Sequence, residues 1–310
     1  MAEPEVVLRA QAGTAESPVW DSDRGGLWWV DIPRGEVHFL DPSTRHDQRW
    51  DVGQPAGTVA LTRAGEVLLA MRDGLTIASG DLAPTNVLWP LPGEPDGNRP
   101  NDGCVDSRGR FWIGTMAVDE HPGAGSLYRA DFGAKPPEIV RMLDAVSISN
   151  GIDWSPEDDL MYYADSPTRR VDVFDWDPEA GTISRRRPFV TLGPGNGVPD
   201  GLCVDADGCV WVALWGGAAV RRYRPDGTLD REVRLPVTQV TSCAFGGPDL
   251  DELFITTAAG GLTKEEPMAG AIFRYQPGCR GRQPNRALVP PLPARERVGE
   301  RVEKEEEEQA

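Results

Sequence analysis

Histidine and cysteine, which supply many catalytic and metal centres, are scarce here: three His and five Cys in 310 residues, with no CxxC pair. That excludes a zinc ribbon or a thioredoxin-like redox motif, and the unclustered thiols read as reduced and mostly buried. Positive charge is also short. Lys and Arg number 32 against 49 Asp and Glu, a net charge of −17. Nucleic acid and anionic membranes both require a basic face, so neither is an expected partner. No run of about 18 apolar residues exists, which excludes a transmembrane helix. The acidic start, Met1 to Arg9, lacks the long apolar core of a signal peptide. A soluble, cytoplasmic protein is expected. The nucleophile motif GxSxG and the phosphate loop GxxxxGK[ST] are absent, and Gly193-Pro-Gly-Asn-Gly is followed by no helical pattern. His38, His46 and His121 fall at strand ends or in loops, so a Ser-His-Asp triad has no support.

Turn residues and tryptophan, by contrast, are plentiful: 35 Gly, 28 Pro and 10 Trp. Many turns argue against a helix bundle. They punctuate a repeat: a short strand, a turn of Asp, Gly, Ser or Pro, then a strongly apolar strand and a third strand. Val105-Asp-Ser-Arg-Gly-Arg-Phe-Trp-Ile-Gly and Val204-Asp-Ala-Asp-Gly-Cys-Val-Trp-Val-Ala are two copies. The last strand residues before the turn are Trp20, Leu61, Val105, Trp154, Val204 and Phe245, spaced by 41, 44, 49, 50 and 41 residues. A period near 45 with several strands per unit is that of a propeller blade. The expected fold is all-β, a six-bladed β-propeller over residues 1–278 with a central metal site. The Glu5–Ala10 strand pattern can complete the last blade and close the ring. From about residue 279 to 310 the chain turns rich in Arg, Pro and Glu, the composition of a solvated, disordered tail.

Four residues before each marker stand Glu16, Gly57, Asn101, Asn150, Asp200 and Thr241. On six equivalent inner strands these positions ring the channel at one depth. Four of them are Glu, Asn, Asn and Asp, the wrong side chains for a dry β interior. Two carboxylates and two carboxamides make a hard-oxygen site. It suits one divalent cation, Ca²⁺ in the first place, with Mg²⁺, Mn²⁺ or Zn²⁺ possible.

Glu16-Ser-Pro-Val-Trp, Arg99-Pro-Asn-Asp-Gly with Gly114-Thr-Met, Ser149-Asn-Gly-Ile-Asp-Trp-Ser and Pro199-Asp-Gly-Leu-Cys-Val-Asp resemble the motifs of the regucalcin/gluconolactonase family, over about residues 5–276. The resemblance implies a six-bladed propeller with one divalent metal (Ca²⁺ or Zn²⁺, with Mn²⁺ or Mg²⁺ possible) that hydrolyses a small-molecule sugar lactone. It also implies Glu16, Asn150 and Asp200 as metal ligands and Asp200 as catalytic acid/base. Arg99, Asn101 and Asp119 are implied as substrate-binding residues. Asp119 and Pro100 stand where some members carry Glu and Phe.

Such a site opens a lactone by activated water: the metal polarises the carbonyl, and a carboxylate takes the water's proton and returns it to the ring oxygen. Two other readings share the architecture, a phosphotriesterase or other esterase and a non-catalytic Ca²⁺-binding propeller. Arg99 favours catalysis, since cation binding alone has no use for it. Asp102 is the next candidate base.

Overall fold

Short apolar runs broken by Gly, Asp and Pro are too brief for helices and pair as strands. The structure is a computed structural model that describes residues 3–78, 82, 89–134, 136–262 and 264–289. It arranges the strands as six antiparallel sheets, or blades. The inner strands are Ala15–Asp21, Ala56–Leu61, Asn98–Val105, Ser149–Trp154, Val198–Val204 and Val240–Gly246. Each packs on the next, and the last packs on the first. The expected six-bladed propeller is the fold observed. Among the described residues the only helical turn is Ser166–Thr168, and no helix is long and apolar enough to cross a membrane.

Six clusters of buried apolar side chains fill the spaces between neighbouring blades. Between blades 3 and 4, for example, the Trp112 ring meets Trp154 and Trp176 edge-on at 6.1 and 5.4 Å. The repeated Asp–Trp spacing has a structural use. The fully buried Asp205 carboxylate accepts hydrogen bonds from Trp211 Nε1 (2.9 Å), Arg222 Nε (2.8 Å) and the Cys209 backbone N–H (2.9 Å). Asp106 does the same for Trp112 Nε1 (3.0 Å) and Arg110 Nε (2.7 Å). A buried carboxylate needs such donors, and here they fasten the first turn of a blade to its second strand.

Closure takes the form expected. The N-terminal strand Glu5–Leu8 pairs antiparallel with Ile272–Tyr275 and becomes the outermost strand of the sixth blade. The boundary at 278 does not hold. Residues 279–289 are not a solvated tail; they lie across the end of the channel where the inner strands finish, and they touch all six blades. Gly281 N donates to Leu250 O, and Arg280 O accepts from Ala206 N. Arg282 reaches Trp154 O and Asp153 Oδ1, and Asn285 Nδ2 reaches Val105 O. Ala287 N donates to Leu61 O, and Arg286 pairs with Asp21 and Asp23. Composition misled because the segment has no strand pattern, yet its Arg282 and Asn285 side chains and its Gly281 and Ala287 N–H groups still satisfy carbonyls that the blades present there. Residues 290–310, with the acidic run from Glu303, lie outside the described residues.

Truncation after Gly278 should therefore destabilise the protein. Several hydrogen bonds at about 1 kcal/mol each are lost, and in a chain of this size each kcal/mol moves Tm by about 2–4 °C. A drop of about 10 °C or more is expected in a thermal melt. A Tm within about 2 °C of the full chain would show that the segment merely rests on the floor.

Candidate functional site

The ring residues predicted from spacing do stand at the heads of the inner strands, and each coincides with a break in strand pairing. Register slips between Glu16 and Val19, Ala56 and Thr58, Ser149 and Ile152, Pro199 and Leu202, and Val240 and Ser242; in blade 3 the slip lies opposite Asn101 and Asp102. A bulge bends a strand and re-aims one side chain. Six such breaks fall at one level of the ring, and four of the residues there, Glu16, Asn101, Asn150 and Asp200, carry buried polar side chains.

Small residues permit this crowding. A Cβ on Gly151 would lie 2.5 Å from Leu202 N, and one on Gly201 would lie 2.1 Å from Ser242 Oγ. Ser17 adopts φ 49°, a left-handed conformation that a side chain disfavours. Its hydroxyl is held by Thr58 of the next blade and accepts from Val59 N at 3.0 Å, so the neighbour maintains the strain. That conformation lets Ser17 N donate to Glu16 Oε2 at 2.8 Å and fixes the carboxylate.

Glu16, Asn101, Asn150 and Asp200 are all buried. Asn150 Nδ2 donates to Ser166 Oγ (2.7 Å), whose hydroxyl donates to Pro199 O (2.7 Å). Asn150 is thereby locked with Oδ1 toward the ring, where it accepts from Asn101 Nδ2 at 3.1 Å. Asn101 Oδ1 in turn accepts from Arg99 Nη1 at 2.8 Å. Arg99 is partly buried, and its Nε and Nη2 groups have no hydrogen-bond partner among the described residues.

Charge at the ring is unbalanced. Burial pushes the Glu16 carboxyl well above its usual range, and Asp200 and Asp102 push it further, against the Ser17 N–H and Arg99. Burial raises Asp200 too, with Asp102 adding to it. Asp102 is lifted to about 6 by burial. Burial lowers the Arg99 guanidinium, opposed by Glu16, Glu120 and Asp200. Three buried carboxylates thus lie close enough to repel, and the one guanidinium beside them acts on Glu16 and Asp200.

A divalent cation would remove the mismatch, and the oxygen donors of Glu16, Asp200 and Asn150 fit a hard ion. Among the described residues no cluster of three His, Cys, Asp or Glu is gathered as a metal centre, so the set depends on a carboxamide.

Asp119 is not brought to the ring. It is exposed in the hairpin after Phe111–Ala117, where its carboxylate accepts from His121 N at 3.1 Å. Its neighbour Glu120 is the carboxylate of that hairpin whose charge acts on Arg99. Spacing along the sequence also missed Ser166: it belongs to no repeat position, and only folding sets it against Asn150. Asp102 was legible as the residue beside Asn101.

All five cysteines are free; Cys203 Sγ and Cys243 Sγ lie 3.7 Å apart without a bond. Cys104, Cys203 and Cys243 line a cavity of about 130 Å³ that extends below the ring from Asp102 to the cap at Arg282–Asn285.

Residues 14–259 match the family described as the SMP-30/gluconolactonase/LRE-like region. The chain belongs to this family. It is 37% identical to regucalcin of Xenopus laevis over 277 residues, covering 87% of this chain and 93% of that one. It is 34% identical to YvrE of Bacillus subtilis, a protein named as a candidate sugar lactone lactonase, covering 90% and 97% of the two chains. The solved structure of a calcium-binding regucalcin from Agrobacterium tumefaciens superposes with a TM-score of 0.85 at 27% identity, covering 94% and 98%. Family members therefore carry both lactonase and calcium-binding names.

Asp102 titrates near 6 in the folded chain against an ordinary 3.8. The metal-free folded state keeps a proton that the unfolded chain has released, and the stability this contributes is lost as pH rises from about 4 to about 6. Glu16 and Asp200 shift in the same direction and extend the loss upward. The Tm in chelator should fall from pH 5 to pH 8, and a divalent cation should restore it. Glu16→Gln should raise the metal-free Tm by about 2–6 °C and weaken the cation's effect. A metal-free Tm that climbs across this range would contradict the charge assignment.

Proposed function

We propose that this chain is a metal-dependent hydrolase that opens the ring of a sugar lactone with an activated water. Family membership supports the lactonase class. The observation that carries the reading is the ring itself: buried Glu16, Asp200 and Asp102 around a locked Asn150, beside one partly buried arginine with free donors. Glu16, Asn150 and Asp200 would hold the divalent cation. When bound, that cation polarises the lactone carbonyl and lowers the pKa of water.

The chain's own residues do the rest. Asp200, fixed by its bulged strand, accepts a proton from the attacking water and returns it to the ring oxygen as the C–O bond breaks, leaving a hydroxy acid. Arg99 keeps one nitrogen on Asn101 and turns its other donors to the substrate, where they orient the carbonyl and stabilise the developing oxyanion. Asn101 acts with it by holding that guanidinium in place. Asp119, exposed on its hairpin, meets the sugar's outer hydroxyls. The Nε and Nη2 donors of Arg99, which have no partner among the described residues and which cation storage does not call on, favour catalysis over storage.

A pH-drop assay against a panel of aldonolactones and an aryl phosphotriester, with and without chelator, tests the class. Lactone opening that stops in chelator is expected; phosphotriester cleavage alone would move the chain to that chemistry. Asp200→Asn keeps an oxygen donor but loses the base, so kcat should fall by about 10² or more at saturating metal. Arg99→Ala should lower kcat/KM without weakening metal binding, since it removes a positive charge beside Glu16 and Asp200. Near-normal turnover by Asp200→Asn would make Asp200 a ligand only and move the base to Asp102.

A further inference from the structure

The geometry points to a second sugar subsite beside the ring, which makes the preferred substrate a lactone carrying a neutral glycosyl group. This deepens the lactonase reading and rests on it. A cleft of about 590 Å³ opens next to Arg99. Its walls are the turn before Ala56, the turn between Val67–Met71 and Gly74–Ala78, and the segment Pro90–Pro100. It shares Asn98, Arg99 and Pro100 with the strand that carries Asn101, so it is continuous with the site. Its size is that of pockets for ligands well beyond one small ring.

The groups facing the cleft decide what it takes. The Arg72 guanidinium lines it and makes no hydrogen bond or ion pair among the described residues, and neither do the carboxylates of Asp73 and Asp96. Gln54 spends Oε1 on Asp73 N at 3.1 Å and keeps both amide protons free. Glu94 is committed instead: Oε1 accepts from Asn98 Nδ2, and Oε2 accepts from Tyr128 OH at 2.7 Å, which pins this wall.

An anionic substituent would meet Asp73 and Asp96, and a cationic one would meet Arg72 and Arg99. Free donors and free acceptors lie side by side. Hydroxyl groups, which donate and accept at once, match that mixture. Leu91, Pro55 and Pro95 add apolar surface for the C–H face of a sugar ring. The subsite therefore selects a neutral polyhydroxylated unit rather than a phosphate, a carboxylate or an amine.

Two lactones separate the possibilities: glucono-1,5-lactone and cellobiono-1,5-lactone, the latter carrying one added glucosyl unit. Wild type should open the second with a kcat/KM about tenfold higher. Arg72→Ala and Asp73→Ala, both exposed and outside the catalytic ring, should remove that preference and leave gluconolactone kinetics unchanged. Equal kcat/KM for the two lactones in wild type, or variants that depress both equally, would overturn the subsite.

Calorimetric titration with cellobiose, which has no lactone to open, reads the cleft without catalysis. Binding that Arg72→Ala weakens supports the subsite even if neither lactone is hydrolysed, in which case the lactonase reading alone fails. Absence of cellobiose binding, or binding that Arg72→Ala leaves unchanged, rejects the subsite whether or not either lactone is opened.

Discussion

A row of six antiparallel sheets has two unpaired edges unless its ends meet, and an unpaired edge exposes a line of N–H and C=O groups. This chain meets that constraint by sending Glu5–Leu8 back to Ile272–Tyr275, with Glu5 and Arg274 paired both in register and as an ion pair. Everything at the centre depends on that closure. With the ring shut, the heads of six inner strands are forced to one level around one axis, and residues far apart in the chain become neighbours. The segment 279–289 adds a second closure, across the floor, by hydrogen-bonding to every blade, mostly as donor. The first closure joins two ends of the chain; the second ties the spokes together.

The site is costly to the fold that carries it. Three buried carboxylates repel one another with a single guanidinium beside Glu16 and Asp200, a serine is held at φ 49°, and each inner strand gives up regular pairing where a ring residue stands. Such features persist only where the surroundings over-determine them. Here the surroundings are the interblade cores and, in blades 3 and 5, the buried Asp–Trp–Arg bonds beside the distorted inner strand. The fully buried Trp112 and Trp211 belong to both, each packed in an interblade core and bonded to a buried aspartate.

Family membership and geometry constrain different things. The family, with its lactonase and calcium-binding names, sets the class of chemistry; the residues of this chain set what is particular to it. Asp119 has a shorter side chain than a glutamate and is turned to its own hairpin. The wide cleft beside Arg99 leaves the channel mouth open toward blades 2 and 3.

The sequence by itself determined the periodic parts of this protein. Strand-turn units near 45 residues apart fix the blade number, and a common offset within them picks out Glu16, Asn101, Asn150 and Asp200, because a closed repeat places equivalent positions at equivalent depths. Features outside the repeat were decided only by tertiary structure. Ser166 locks Asn150 across a sequence gap with no periodic relation. Asp102 became a third buried charge only once the bulge turned its strand. Residues 279–289 read as solvated from their Arg and Pro content, because composition records hydrogen-bonding capacity and not where the partners lie. Their partners are strand ends from six different blades, and those ends are adjacent only after the ring has closed.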